Sequence, residues 1–438
     1  MAELRPCLEG AIPAVMATVA ADGTPNVAYL SQVHHVDEQH VALSFQFFNR
    51  TRQNLLAHPR STVLLVNPLD MRFYRLHLRY LRTETDGPVF ERMKAQLAGI
   101  ATHEGLDAVF RLRGADIHEL LAIERVPAGA APPLPPPRQR PEPLAVLRQA
   151  SEALAQARSL RGLLDAALDC LQHTLDMPQA MVLIVDGESG RLYTVASRGY
   201  PHSGVGSEIA PGQGVIGVAA RQGTPVRINH VTSATSYNQA VVHSLGAQEA
   251  GAEIPYPGLA RPGSQLATPL VSAGRALGVL FVESAQEMRL NHEDEDLLVA
   301  LAGQLAAGIA LMQEADGAGA DPDAEQAPAP SNAPLRLRRY RRDGSVFVNN
   351  AYLIKGVAGA ILWKLLMEHR LGRRDFSNRE LRLDPSLALP ELSDNLEARL
   401  LLLHRRLGEQ CPALRLQKTG RGCFRFDALA PVELSESP

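Results

Sequence analysis

The sequence predicts a multidomain chain of three folded blocks: a small β-barrel with one or two helices, an α+β module, and a basic helical domain closed by a hairpin. Three observations carry this. The chain has 438 residues, too many for one core at roughly 100 to 200 residues per domain. Two segments have linker composition. Charge is also split unevenly: Leu335 to Asp427 holds 19 Lys+Arg against 10 Asp+Glu, a local +9 in a chain of net charge −3. A basic end on an otherwise acidic chain points to a polyanionic partner for that end.

With 45% apolar and 21% charged residues, wholesale disorder and fibrous classes are excluded. Cys7, Cys170, Cys411 and Cys423 are scattered without a CxxC pair, so neither a zinc site nor a disulfide framework is indicated. The start, MAELRPCLEGAIPAV, lacks a basic segment followed by a long apolar stretch, and no run of about 18 apolar residues is seen, so no membrane association and a cytoplasmic location are expected. Residues 127–143 carry a proline-rich, semi-rigid spacer; residues 314–334 are small, acidic and proline-dotted, as in a flexible tether. The blocks are therefore 1–126, 144–313 and 335–428.

In the first block, AVMATVA, NVAYLSQV, HVALSFQFF and STVLLVNP have strand length and alternation. ADGTP between the first two signals a hairpin, and TRQNLLAHP a short helix ending before Pro59. RLHLRYLRTETDG alternates again, PVFERMKAQLAGIATHEG has helical period, and a strand near Asp116 to Val126 closes the barrel. From Gly10 to Val126 this pattern resembles the flavin-binding split-barrel family that includes pyridoxamine-phosphate oxidase. The resemblance implies FMN at a dimer interface, held by Ser44, Gln46, Phe47, Asn49, Thr51, Arg52 and Asn54, whose hydroxyl and guanidinium groups suit a phosphate. No second cluster for a pyridoxamine-phosphate substrate accompanies it. Haem is the alternative cofactor, with His34 or His35 at hand, and a cofactor-free barrel serving dimerisation is a further reading.

The second block opens on an expected helix from Leu144 to Leu175 and closes on one from Glu293 to Gln313. Between them AMVLIVD, RLYTVASRG, PVRIN, SQLATPLVS and RALGVLFVES read as strands, and GQGVIGVAARQG as a loop and short helix. This order resembles a GAF domain. The resemblance implies a small-molecule effector under the variable segment Ile228 to Ser264, with Tyr237, His243 and Tyr256 as pocket residues. His230 and His243 are either ligands or ordinary polar residues, and Cys170 is a core residue or a redox sensor.

The third block runs from short strands to helices at Val357 to His369, Ser377 to Arg382 and Asp394 to Gln410, then to a hairpin around Lys418 to Gly422. Ser377 with Glu380, and Asp394 with Glu397, have capping spacing. Leu396, Leu400, Leu403 and Leu407 form a stripe for burial. GAILWKLL, DFSNRELR, DNLEARLLLLHRRL and LRLQKTGRGCFRF resemble the winged-helix output domain of response-regulator transcription factors. The resemblance implies DNA binding by Asn395, Arg399, His404, Arg405 and Arg406 on a recognition helix and by Lys418 and Arg421 on a wing. Leu401 and Leu402 depart from the family pattern: they occupy base-reading positions or form an apolar contact surface, and a basic winged helix used for protein contact stays open.

Together the blocks read as a homodimeric one-component transcriptional regulator that couples flavin, redox or small-molecule sensing to sequence-specific DNA binding. The competing readings are a flavin-dependent oxidoreductase with regulatory GAF and winged-helix parts, and a protein-interaction scaffold.

Overall fold

The computed structural model describes residues 1–46, 50–104, 112–127, 140–187, 189–230, 254–314, 334–341, 344–387, 389, 396–420 and 422–437. Asp22 and Gly23 make the first turn. Asp22 Oδ1 accepts the Thr24 amide at 2.9 Å, and Gly23 adopts φ +88°, which glycine tolerates without strain. This joins β1 (Ala14–Val19) to β2 (Pro25–Leu30). The block continues through β3 (Val33–His35), β4 (His40–Phe45), α1 (Arg50–Ala57), β5 (Arg60–Val66), β6 (Phe73–Glu84), α2 (Gly87–Glu104) and β7 (Gly114–Val126). The seven strands pair antiparallel in the order β2-β1-β5-β6-β7-β4-β3. Alternate residues point inward, so Met16, Val63, Leu65, Leu76 and Leu78 fill the barrel core.

The helix expected over Leu144 to Leu175 is broken. The first piece, α3 (Pro143–Gln156), stops at Ala157. Ser159 then caps α4 (Leu160–Asp169) by accepting the Gly162 amide at 3.1 Å, and the last turn, Cys170–Thr174, is a π-helix. Strands β8 (Gln179–Val185), β9 (Leu192–Arg198), β10 (Glu208–Ile209), β11 (Val226–Ile228), β12 (Ser264–Ser272) and β13 (Arg275–Ser284) form an antiparallel sheet in the order β10-β9-β8-β13-β12-β11. One face carries α5 (Gly214–Gln222); the other carries α3, α4 and α6 (His292–Glu314). Among the described helices, α6 is long and apolar enough to cross a membrane by length and composition, although Gln304 interrupts its apolar run. Its Leu298, Leu301, Leu305 and Ile309 are buried in the second block's core, against the sheet and its neighbouring helices.

Barrel and second block share a core. Ala95 of α2 lies in one cluster with Val226 and Ile228, and Gly99 admits the Val226 side chain where a Cβ would collide. Gln96 completes the contact. Its Oε1 accepts the Arg227 amide at 3.1 Å and its Nε2 donates to the Arg227 carbonyl, so one side chain supplies the hydrogen bonds that edge strand β11 would otherwise lack. The Arg227 guanidinium joins Glu9 of the barrel to Glu295 of α6.

The third block begins with three strands where two were expected: β14 (Leu335–Tyr340), β15 (Val346–Val348) and β16 (Ala351–Ile354). Next come α7 (Gly356–Arg370), β17 (Asp375–Ser377), α8 (Asn378–Arg382), α9 (Leu396–Gln410) and the hairpin β18 (Leu414–Gly420) and β19 (Cys423–Ala428). The block does not end at 428. A last strand, β20 (Val432–Ser437), pairs in parallel with β14, placing Leu434 opposite Leu337. The Ser377–Glu380 capping box forms as expected; Asp394 lies outside the described residues. The expected α9 stripe is buried at Leu396, Leu403 and Leu407 and half-buried at Leu400.

Candidate functional site

Three places hold the residues singled out by sequence. The first is a cleft in the barrel, lined among others by Met16, Leu30, Ser44, Gln46, Thr51 and Arg52. Asn54 is buried and donates to Thr18 Oγ1 at 3.1 Å; Phe47 and Asn49 lie outside the described residues. Ser44 Oγ accepts the Gln32 amide and Thr51 Oγ1 accepts Asn26 Nδ2, so both hydroxyls already have protein donors. Gln46 Nε2 is different: it is buried and has no partner among the described residues.

Arg52 does not offer its charge to a phosphate. Its guanidinium reaches both oxygens of Asp116 at 2.5 Å and Thr83 Oγ1 at 2.6 Å, 4.6 Å from the centre of the Phe45 ring. Arg52 and Asp116 side chains are only 11% and 6% exposed, so this is a desolvated pair whose net charge is zero. Arg52, expected to hold a flavin phosphate, is thus engaged with Asp116 and Thr83 in this conformation. Gln46 lines this cleft and its buried amide nitrogen has no partner among the described residues, a donor that an acceptor on a bound molecule would satisfy. A phosphate dianion does not fit at Arg52, where it would meet the Asp116 carboxylate.

The second place is the face of the second block's sheet that packs on α5 and Tyr256. Tyr256, assigned to a pocket, packs with Tyr200 against a cluster containing Met181, Leu183 and Phe281. Glu283, 2% exposed, accepts Gln265 Nε2 at 3.0 Å and the Leu259 amide at 2.8 Å. Burial pushes the Glu283 carboxyl above the usual carboxylate range, and likewise raises the Tyr200 and Tyr256 phenols. Sequence reasoning missed Glu283, which sits in the apolar strand RALGVLFVES and could have been found as its one carboxylate. Tyr237 and His243 lie outside the described residues, and His230 pairs with Glu287 at 2.9 Å. Cys170 is buried, its thiol raised by burial, in keeping with a core role.

The third place is helix α9. Buried or half-buried residues cover it from Leu396 to Leu407, leaving only Gly408 to Gln410 exposed. One side packs on its own domain. The other meets the second block, and there Arg399 and Arg405, expected to face DNA, turn inward, while Arg406 turns into its own block. Arg399, 5% exposed, lies 2.6 Å from Asp186 and 4.6 Å from the centre of the Tyr193 ring. Arg405 donates to the Val195 carbonyl at 2.6 Å and to Asp165 at 3.0 Å. Arg406, 6% exposed, donates to the Leu353 carbonyl at 3.0 Å. Burial pulls the pKa of both Arg405 and Arg406 below the ordinary arginine value. An exposed, base-reading disposition of these arginines is thus not what this conformation presents, and Leu401 and Leu402 on the same helix are buried as well. His404 and Lys418 line a cleft between α4 and the hairpin, and Asn395 and Arg421 lie outside the described residues.

Comparison with known proteins divides the chain in the same way. Residues 1–121 match the family described as pyridoxamine 5'-phosphate oxidase, and residues 157–310 match the GAF domain family. No curated protein matches the chain. Similar solved structures include the GAF domain of an Acinetobacter phosphoenolpyruvate-protein phosphotransferase, at 22% identity over 39% of this chain and 94% of that one, TM-score 0.32. Another is free methionine-R-sulfoxide reductase of Neisseria meningitidis, at 22% identity over 40% and 91%, TM-score 0.32. An FMN-binding protein of Syntrophomonas wolfei is similar at 16% identity over 29% and 87%, TM-score 0.25. These domains suggest a protein that senses a flavin or another small molecule. The chain is a multidomain protein that joins a pyridoxamine 5'-phosphate-oxidase-like N-terminal half-barrel to a GAF domain.

Proposed function

We propose that the protein is a homodimeric one-component transcriptional regulator, in which the half-barrel and GAF domain sense a flavin-class or other small molecule and a winged-helix C-terminal domain binds DNA. The observation that carries the reading is the order of the third block. A small sheet is followed by α7, the capped helix α8, the arginine-bearing helix α9 and the basic hairpin β18–β19, in a segment of local charge +9. Helix, helix and hairpin in that order give a groove-sized element and a flanking cation, whereas a merely solvated surface would mix charge signs more evenly. The barrel cleft, with the Gln46 amide, supports a ligand that brings an acceptor; flavin as that ligand rests on the domain likeness and requires phosphate donors other than Arg52.

The test has two parts on the purified full-length chain: an absorbance spectrum, and selection from a pool of random-sequence duplex DNA. Enrichment of a defined half-site repeat supports the regulator, and flavin bands add redox sensing to it. A Soret band would make haem the cofactor. No enrichment, together with catalytic oxidation of a reduced nicotinamide, would replace the regulator with a flavin-dependent oxidoreductase.

A further inference from the structure

Helix α9, which the proposed function makes the DNA reader, is already engaged within its own chain. Its arginines bring acceptors from the GAF domain to the surface that would face a groove: Asp186 and the Tyr193 ring for Arg399, Asp165 and the Val195 carbonyl for Arg405. Leu401 and Leu402, out of place on a base-reading face, are buried. Away from the helix, Lys355 at the start of α7 pairs with Glu208 of β10 at 3.2 Å, so the two domains hold each other at more than one point. A helix covered in this way cannot enter a major groove, and an arginine paired with a carboxylate does not neutralise a phosphate.

We infer that the GAF domain latches α9, so that the chain in this conformation is blocked for DNA binding and is released when the loop Gly204–Glu208 shifts. The inference rests on the reading of α9 as a DNA-binding helix. Two features make the latch releasable. The aspartates are its weak side, since the Asp186 and Asp165 side chains keep 21% and 29% exposure, and water can take over from the arginines without leaving a stranded buried charge. The loop also has two neighbours. A Cβ built on Gly206 would lie 2.6 Å from Ile254, 3.5 Å from Leu402 and 3.7 Å from Arg406, and Gly204 packs on Pro257. Residues Ile254 to Pro257, which also carry the half-buried Tyr256, therefore press on the same loop as the latched helix. A ligand that moves Tyr256 beside Glu283 acts on the latch through one layer of contacts.

The test uses the full-length chain with Asp165→Asn and Asp186→Asn together, and separately Lys355→Glu, which sets a carboxylate against Glu208 and leaves the GAF domain and every arginine unchanged. Two quantities are read: amide exchange of residues 396–410 without DNA, and fluorescence anisotropy of labelled random-sequence duplex. Both variants are expected to exchange about tenfold faster in α9. The double variant is also expected to bind duplex about tenfold tighter, with a salt dependence steeper by about two phosphate contacts, one for each freed arginine. Unchanged exchange in both variants overturns the latch, whatever the DNA does. Faster exchange with unchanged duplex binding overturns the inference through the DNA reading beneath it. Lys355→Glu keeps the test decisive if the double variant fails to fold.

Discussion

Arg399 on α9 and Asp186 at the end of β8 meet at 2.6 Å, across a boundary between two domains, with the Tyr193 ring 4.6 Å from the guanidinium. The arginine is nearly enclosed and the aspartate is not, so the pair falls between a surface ion pair and a buried one. A double-mutant cycle with Arg399→Ala and Asp186→Ala is expected to give a coupling of about 1 to 3 kcal/mol, well above the few tenths of an exposed pair. Urea denaturation of the four proteins measures it, and additivity would show that the two side chains are merely near each other.

In the barrel, Asp116→Asn is expected to cost about 3 to 5 kcal/mol, because it leaves the Arg52 guanidinium buried without its counter-charge. Pairing it with Arg52→Met should recover much of the loss, since the uncompensated charge is then gone. The urea midpoints of both variants check this; a double variant as unstable as the sum of the singles would refute it.

His34 sets a pH dependence. Burial first, and Arg92 next, hold it at about 4, below its ordinary 6.5. The unfolded chain therefore takes up this proton before the folded chain does. Stability is unaffected by His34 above pH 6.5, falls as the pH drops toward 4, and levels off below that, a loss of up to about 3 kcal/mol. A His34→Gln variant should show a flatter stability profile between those pH values. Profiles that run parallel would remove His34 from the account.

Thiol reactivity separates the four cysteines. Cys423 is exposed at the start of β19, whereas Cys7, Cys170 and Cys411 are buried and burial raises all three thiols, Cys7 to about 12. Iodoacetamide on the native protein is expected to label Cys423 quickly and the others only on unfolding. Mass spectrometry after a short pulse reads this directly, and early labelling of Cys170 would instead favour a redox role for it.

Much of the architecture was legible in local chemistry. Alternation marked the barrel and GAF strands, ADGTP the first hairpin, and Ser377 with Glu380 the start of α8, because each depends on residues a few positions apart. What escaped depends on distant partners. Strand β20 has a weak pattern, ELSES, and becomes a strand only by pairing with β14 nearly a hundred residues earlier. Arg52 looks like a phosphate ligand until Asp116, 64 positions on, takes its charge. Arg399 looks like a base reader until α9 docks on the GAF domain. Sequence gives the type of a side chain and its local face; which charge it spends itself on is decided by tertiary contact.

Gln96 gives the barrel a duty toward its neighbour. By bonding both backbone groups of Arg227 it stands in for a seventh strand beside β11, so the border of the GAF sheet offers no open template there. A fragment cut free of the barrel would bare that border. Its own copies would be the nearest source of the lost hydrogen bonds, and such a truncation is expected to self-associate through β11, making the half-barrel a guardian of solubility for the domain it precedes.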